Sequence, residues 1–327
     1  MKTFTRLHLG IAVILLCAAP MAWSQQFDTV QRLTNRETFL SFNVPAGTNY
    51  RIDVATNFPA DTNLARWSAL LTARSGGVNQ HTDSAAPYLA TRFYRAEQLT
   101  NAPVLTGDHL ATTNGDAIIR PVGHATFVMS WNGLMIYNDP TNGTAPYASF
   151  PKADLILVSH SHGDHYSAST ISAVLATGGR IVVPQAIYDM GGFSALRPSA
   201  IPLAYGQTTN VFGITVEAVP AYNGNHIYGI NNAYVITLGG KRIFTSGDCG
   251  DGPEIRGVTN IDVAFLAMNI PFTTNALGAT NIIRAMRPKV VYPYHYRDSS
   301  GTRTNADVFK RWLGQDLGIE VRLRSWY

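Results

Sequence analysis

Cysteine is almost missing from this 327-residue chain, which holds only Cys17 and Cys249. Structural zinc sites are usually closed, four-coordinate and rich in thiolate, so two distant cysteines argue against that class. Charge is sparse as well: Asp, Glu, Lys and Arg make up 14% of the residues, and the net charge is +4. Lys and Arg form no run and no stripe interleaved with aromatics, so the electrostatic footprint of nucleic-acid binding is lacking. Long apolar runs are lacking too. The best candidate, Leu9 to Ala19, falls short of the roughly 20 residues that span a bilayer as a helix. It follows Lys2 and Arg6, and Ala22-Trp23-Ser24 sets small residues at the minus-three and minus-one positions of a cleavage site before Gln25. This layout predicts a secretory signal peptide over residues 1–24, and a secreted or periplasmic protein with no stable membrane anchor after cleavage. An uncleaved anchor is the alternative reading. Leu16 before Cys17 is not the small residue that a lipoprotein signal needs. Cleavage removes Cys17, leaves Cys249 alone, and rules out a disulfide within the mature chain.

Apolar side chains, by contrast, are plentiful at 46% of the total. They suffice for a large core in one full-sized domain, with length left for a smaller one. Histidine is unevenly spread. Of nine in the chain, three fall within the six residues His160-Ser161-His162-Gly163-Asp164-His165. The preceding run Leu155-Ile156-Leu157-Val158 reads as a buried strand, so the histidines stand where a strand gives way to a loop. A loop can fold several nitrogens around one point. Neutral imidazole is a good ligand for zinc and its neighbours, and Asp adds a harder, charge-compensating oxygen. The cluster therefore reads as a metal site. Further donors also follow short β-like runs: His226 after Ile214 to Val219, Asp248 after Arg242 to Thr245, and His295 after Val290 to Tyr294. Alone, His226 or His295 would read as an ordinary hydrogen-bonded histidine. Beside the His160 cluster, loops converging at one sheet edge make them further ligands.

These residues carry a resemblance. The His-x-His-x-Asp-His signature is similar to the metal motif of the metallo-β-lactamase-fold hydrolases. Gly123-His124-Ala125-Thr126-Phe127, Asn138-Asp139-Pro140, Pro220-Ala221-Tyr222-Asn223, Ser246-Gly247-Asp248 and Tyr292-Pro293-Tyr294-His295-Tyr296 follow in the family's order. They resemble the branch that includes ascorbate-6-phosphate lactonase-like and N-acyl-phosphatidylethanolamine phospholipase D-like enzymes. The resemblance implies two adjacent divalent metals, zinc first, with manganese or iron as alternatives for a mixed N/O site. His160, His162 and His226 would hold one; Asp164, His165 and His295 would hold the other. Asp248 would bridge both, and Asp164 and Asp248 would carry the catalytic role with a metal-bound hydroxide as nucleophile. Asp139 matches the family's inner aspartate, expected to fix the tautomer of a ligating histidine, with a turn cap before Pro140 as the plainer reading. His124 reads equally as a partner of the ligands or as a packed strand histidine. Tyr222, Asn223, Asn269, Phe272, Thr273 and Tyr296 are candidates to line the pocket. Cys249 reads as a small buried filler.

The chain before this domain is organised differently. Thr38 to Val44, Asn49 to Ala55, Trp67 to Thr72 and Thr91 to Arg95 read as short strands. They are separated by Pro45-Ala46-Gly47, by Asn57 to Asn63 and by Ser75-Gly76-Gly77. A small antiparallel β-sandwich module over residues 27–100 is expected, with His81 in a polar loop, and a linker over 101–116. Beyond Ala117, in the expected domain 117–327, strands alternate with helices predicted at Thr170–Thr177, Ala276–Arg287 and Thr304–Leu313. That pattern gives a layered α/β domain; the four-layer αββα order is what the resemblance implies. Three functions from different classes stay open. The leading one is a secreted dinuclear hydrolase of a small lactone, other ester or phosphodiester. A β-lactamase, true or promiscuous, is the second, although drug-hydrolysing relatives generally lack a bridging carboxylate. The third is a non-catalytic extracellular binding protein. The expected partner is a small-molecule substrate, and no residue pattern specifies an oligomeric state.

Overall fold

A computed structural model describes residues 24–25, 27–56, 67–297 and 304–326. The expected signal peptide, but for Ser24, and the turn at Asn57 to Asn63 lie outside the described residues. The chain divides into two compact units, Met1–Pro103 and Val104–Tyr327.

The first unit holds β1 (Ser24–Gln25), β2 (Thr29–Arg32), β3 (Thr38–Asn43), β4 (Asn49–Ala55), β5 (Ser68–Arg74), β6 (Val78–Asp83) and β7 (Phe93–Leu99). They form two antiparallel sheets, ordered β1-β7-β4-β5 and β2-β3-β6. Inward positions of both sheets meet in one core, where Phe42 packs edge-on against Phe27 and Tyr50. Strand β6 corrects the expectation that His81 sits in a loop. Val78-Asn79-Gln80-His81-Thr82-Asp83 shows almost no apolar alternation, yet its backbone pairs with β3 along the whole length of the strand.

The second unit consists of two sheets laid face to face. The first has the order β8 (Gly107–Thr112), β9 (Gly115–Gly123), β10 (Thr126–Trp131), β11 (Leu134–Asn138), β12 (Ala153–Leu157), β13 (Leu175–Pro184), β14 (Ala200–Leu203). The second runs β15 (Thr208–Val211), β16 (Ile214–Pro220), β17 (Asn232–Leu238), β18 (Lys241–Thr245), β19 (Val263–Ala267), β20 (Val290–Tyr294), β21 (Glu320–Val321). Pairing is antiparallel at the start of each sheet and becomes parallel from β11 to β14 and from β18 to β21.

Strand alternation explains the layers. Leu155 and Leu157 enter the core between the sheets, while Ile156 and Val158 face outward into a second core with Ile171 and Val174 of α1 (Ala168–Val174) and Ile187 of α2 (Gln185–Asp189). On the other side, Phe244, Ala264 and Leu266 pack on α4 (Ala276–Met286) and α5 (Ala306–Leu313), with α3 (Pro253–Arg256) contributing Ile255. A strand buried on both faces needs apolar residues at every position, which is why these read as continuous runs. The result is the αββα order. Phe127 and Phe265 stack at 3.9 Å across the central core.

Two expectations need correction here. Residues 107–112, expected in a linker, form β8 and pair with β9. Gly107 is required there because a Cβ would collide with the Ile119 carbonyl. The helix expected over Thr170–Thr177 ends at Val174, because Leu175 already pairs with Ala153 in the parallel ladder.

Strand β8 is held from afar. Asp108 accepts two hydrogen bonds from the Arg324 guanidinium, at 2.9 and 3.0 Å, and one from the Tyr292 hydroxyl at 2.7 Å. Burial opposes the charge on Asp108, yet Arg324 and Arg322 hold its carboxyl well below the usual carboxylate range. Replacing one partner of a buried ion pair strands the other, so Asp108→Asn should cost about 3–5 kcal/mol. Denaturant unfolding at neutral pH measures it. A depressed folded pKa contributes stability that is complete above the unfolded value of about 3.9 and is lost as pH falls below it. The gap between wild type and variant should therefore begin to narrow at about pH 4 and shrink progressively as the pH falls further.

Candidate metal centre

Strand order sets the site. Strands β11 and β12, and likewise β18, β19 and β20, run parallel within their sheets, so the loops after them emerge at one edge. Asp139 follows β11, the His160 loop follows β12, Asp248 follows β18, and His295 follows β20. His226 follows β16, and His124 lies in the turn between β9 and β10. Three of these residues, His124, Asp139 and His295, have left-handed backbone with φ of 53°, 44° and 45°. For side chains with a Cβ this is a strained state, tolerated where the surroundings over-determine it and concentrated at functional sites.

The side chains gather into two groups. His160, His162, His226 and Asp248 make one, and His124, Asp164, His165 and His295 the other; within each, the potential ligand atoms lie within 4.8 Å of one another. Asp248 belongs to both by geometry. Its Oδ2 lies 3.3 Å from His226 Nε2 and 3.7 Å from His160 Nε2, while its Oδ1 lies 3.2 Å from His165 Nε2 and 3.3 Å from His295 Nε2. Gly247 beside it has φ +49°, and any Cβ there would press on Ser159 and the Asn232 carbonyl.

Hydrogen bonding fixes which nitrogens point inward. The Asp139 carboxylate accepts from Ser159 N–H at 2.7 Å, from the Ser159 hydroxyl at 2.7 Å, and from His165 Nδ1 at 2.8 Å. A carboxylate only accepts, so His165 Nδ1 carries a proton. The Ser159 hydroxyl has spent its own proton on Asp139, so His160 Nδ1, 3.0 Å away, must donate to it. Asn223 donates its amide to the Asp248 and Phe272 carbonyls and turns Oδ1 to His226 Nδ1 at 3.0 Å. That nitrogen donates as well. In the neutral ring, each of the three histidines is then left with an Nε2 lone pair aimed at the centre.

The electrostatics fit a cation. Burial holds His160 well below the ordinary histidine value, and burial also lowers His124. Burial likewise disfavours charge on His165, yet the Asp248 and Asp139 carboxylates raise it well above that value. Asp248 is held well below the usual carboxylate range by His295 and His165 against the effect of its own burial. His165 Nε2, His295 Nδ1, His295 Nε2 and Asp248 Oδ1 are buried without a hydrogen-bond partner. Each such atom costs about 1–3 kcal/mol unless something satisfies it. Three of the four face one another, a donor set of imidazole and carboxylate that suits a divalent metal.

The site opens into a cleft of about 620 Å³, lined among others by His162, Asp164, Asn269 and Phe272. Asn142 and Gly163 also line it and were not foreseen. Ser159 was missed as well, although it directly precedes the histidine motif. Tyr222 and Tyr296, expected in the pocket, do not line the cleft. The Tyr222 hydroxyl donates to Glu254, and Tyr296 packs against the apolar cores. Thr273 accepts from Asn269 N–H and closes the turn that carries Phe272. Cys249 is fully buried, and burial together with Asp248 pushes its thiol up to about 12. Such a thiol is not a nucleophile at neutral pH. Cys249→Ala should keep more than roughly half of the turnover, and the native thiol should resist a disulfide reagent until the chain is denatured.

An αββα sandwich carrying this His/Asp cluster at the shared strand edge defines a metal-dependent hydrolase of the metallo-β-lactamase fold. Residues 119–295 match the beta-lactamase superfamily domain, and the chain belongs to that superfamily. It is 31% identical to a UPF0173 metal-dependent hydrolase of Thermococcus kodakarensis over 219 residues, 62% of this chain and 95% of that protein. A second UPF0173 metal-dependent hydrolase, of Thermus thermophilus, is 28% identical over 62% of this chain and 93% of its own length. A solved Parabacteroides distasonis structure, assigned to the metal-dependent hydrolases, is 33% identical with a TM-score of 0.59, covering 67% of this chain and 97% of that one.

Proposed function

We propose that the chain is a dinuclear hydrolase of lactones, other esters or phosphodiesters, secreted or periplasmic. The observation that carries this reading is the split of the Asp248 carboxylate, one oxygen toward each histidine group. His160, His162 and His226 would hold one cation, Asp164, His165 and His295 the other, and Asp248 would compensate the charge of both. Asp139 and Ser159 fix the tautomers of His165 and His160. His124 acts as a positioning residue: its Nε2 lies 2.9 Å from Asp164 Oδ2, and its ring packs 3.8 Å from that of His295. Paired divalent cations lower the pKa of water toward neutrality and polarise a carbonyl or phosphoryl oxygen. Zinc is the first expectation; manganese and iron also suit these donors. The resemblance of the motif order to that of the ascorbate-6-phosphate lactonase-like and N-acyl-phosphatidylethanolamine phospholipase D-like enzymes supports this substrate range.

The first unit is read as an accessory module, since among the described residues both His/Asp groups fall in the second. The leader pattern at residues 1–24 supports export, and a mature chain beginning at Gln25 would verify it. Elemental analysis of the metal-replete protein should find two metals per chain. Lactones, phosphodiesters and β-lactams assayed on the same sample should show turnover of the first or second class. One metal per chain would defeat the dinuclear reading, and turnover of β-lactams alone would move the enzyme to that class.

A further inference from the structure

The His and Asp side chains share their cleft with one exposed aromatic ring, that of Phe272. Two loops flank the cleft and make its rim. One, after His226, carries Ile227, exposed to 71%, together with Tyr228 and Ile230; the other carries Ile270, exposed to 55%, Phe272, and Leu277 at the start of α4. These make up six of the eleven large apolar side chains exposed among the described residues. Scattered exposed apolar residues are ordinary, whereas a local concentration beside a site marks a binding surface.

The loops are tied together. Asn223 Nδ2 donates to the Phe272 carbonyl at 2.7 Å, and Asn225 Nδ2 donates to the Pro271 carbonyl. The Tyr228 ring stands edge-on against Tyr205 and Tyr222, at 5.1 and 5.0 Å, and Gly229 N–H donates to the Tyr205 hydroxyl. The rim is thus built and held, not a frayed loop. Phe272 joins it to the chemistry, because it lines the cleft with Asp164, Asp248 and His295 while remaining 42% exposed. Ile270 and Leu277 continue the surface into a neighbouring hollow of about 360 Å³.

We propose that this rim receives the aliphatic part of the substrate, so that the enzyme takes amphiphilic esters or phosphodiesters with a chain of several carbons next to the scissile group. This rests on the reading of the cleft as the hydrolytic centre. The occupant is a substrate chain, because Phe272 belongs both to the cleft lining and to the loop that carries exposed apolar side chains. A chain lying there would run outward from the reacting group. Each methylene it buries should raise kcat/KM by up to roughly fourfold.

The test uses the full, zinc-loaded protein and p-nitrophenyl esters from acetate to octanoate. Octanoate should be favoured over acetate by at least tenfold, and Ile227→Asn with Ile270→Asn should lower that ratio by about tenfold while circular dichroism stays unchanged. A flat series in the wild type, or an unchanged ratio in the double variant, overturns the proposal. Binding of octyl phosphate and methyl phosphate, followed by calorimetry, covers the case in which no ester turns over: octyl phosphate should bind at least tenfold tighter, and equal affinities sink the idea. Sedimentation with phosphatidylcholine vesicles, or a concentration-dependent dimer, would overturn it if either were lost in the double variant while the octyl preference remained. The rim would then belong to a bilayer or to a second copy of the chain.

Discussion

Asp248→Ala should cut turnover by roughly a thousandfold or more, beyond the roughly 10- to 100-fold that loss of an outer hydrogen-bond partner costs a metal site. Two things vanish together. Each oxygen of the carboxylate serves a different histidine group, so neither group keeps its set of donors. The negative charge shared by the two histidine groups is lost as well, and four buried imidazoles then face one another without it. Dialysed protein should retain at most one metal per chain by elemental analysis. Asp248→Asn separates the effects, since it keeps the shape and removes the charge. A variant that holds two metals and turns over normally would overthrow the bridging role.

Asp139→Asn should be the second large effect, though Asp139 lines no part of the cleft. The carboxylate takes three donors from two residues, and an amide presents an NH2 where one of them must be accepted. The Ser159 hydroxyl and His165 Nδ1 share Oδ2 while the Ser159 N–H uses Oδ1, so one orientation of the amide strips both side chains of their acceptor and the other strips the N–H. In the first, both imidazoles that depend on this pair can change tautomer. Metal affinity should fall roughly 10- to 100-fold, with a stability loss of about 1–3 kcal/mol for the donor left unpaired. Competition with a chromogenic chelator measures the first and denaturant unfolding the second. Unchanged affinity would mean that the tautomers are fixed by something else.

Much of this was readable from the chain because imidazole and carboxylate in a tight loop have few other uses. His160, His162, Asp164 and His165 announce themselves by spacing, and the apolar run before them announces a strand buried on both faces. Strands β6 and β8 did not show, for an opposite reason. Their side chains are polar or mixed, and what makes them strands is pairing with distant backbone. For β8 the anchor is Arg324, which lies 216 residues from Asp108. No local window carries that. The pocket residues divided in the same way. Asn223 and Phe272 stand beside ligand loops and touch the site, whereas Tyr222 and Tyr296 stand equally near in sequence and turn elsewhere. Proximity along a loop does not settle which way a ring faces. His124 could be weighed either way until the left-handed turn at its backbone brought it to Asp164.

One amide governs how this enzyme can diverge. Asn223 sets the tautomer of His226 and at the same time holds the carbonyls of Asp248 and Phe272. Chemistry and cleft wall therefore hang on a single side chain, and mutations in the surrounding loops are pleiotropic. Exchanges of outward side chains such as Ile227 or Ile270 leave the amide untouched and can change substrate preference without disturbing an imidazole. An insertion or deletion in either loop shifts a carbonyl away from it and disturbs an imidazole in the same event. New specificity in this lineage should be reached by repainting the loops at constant length.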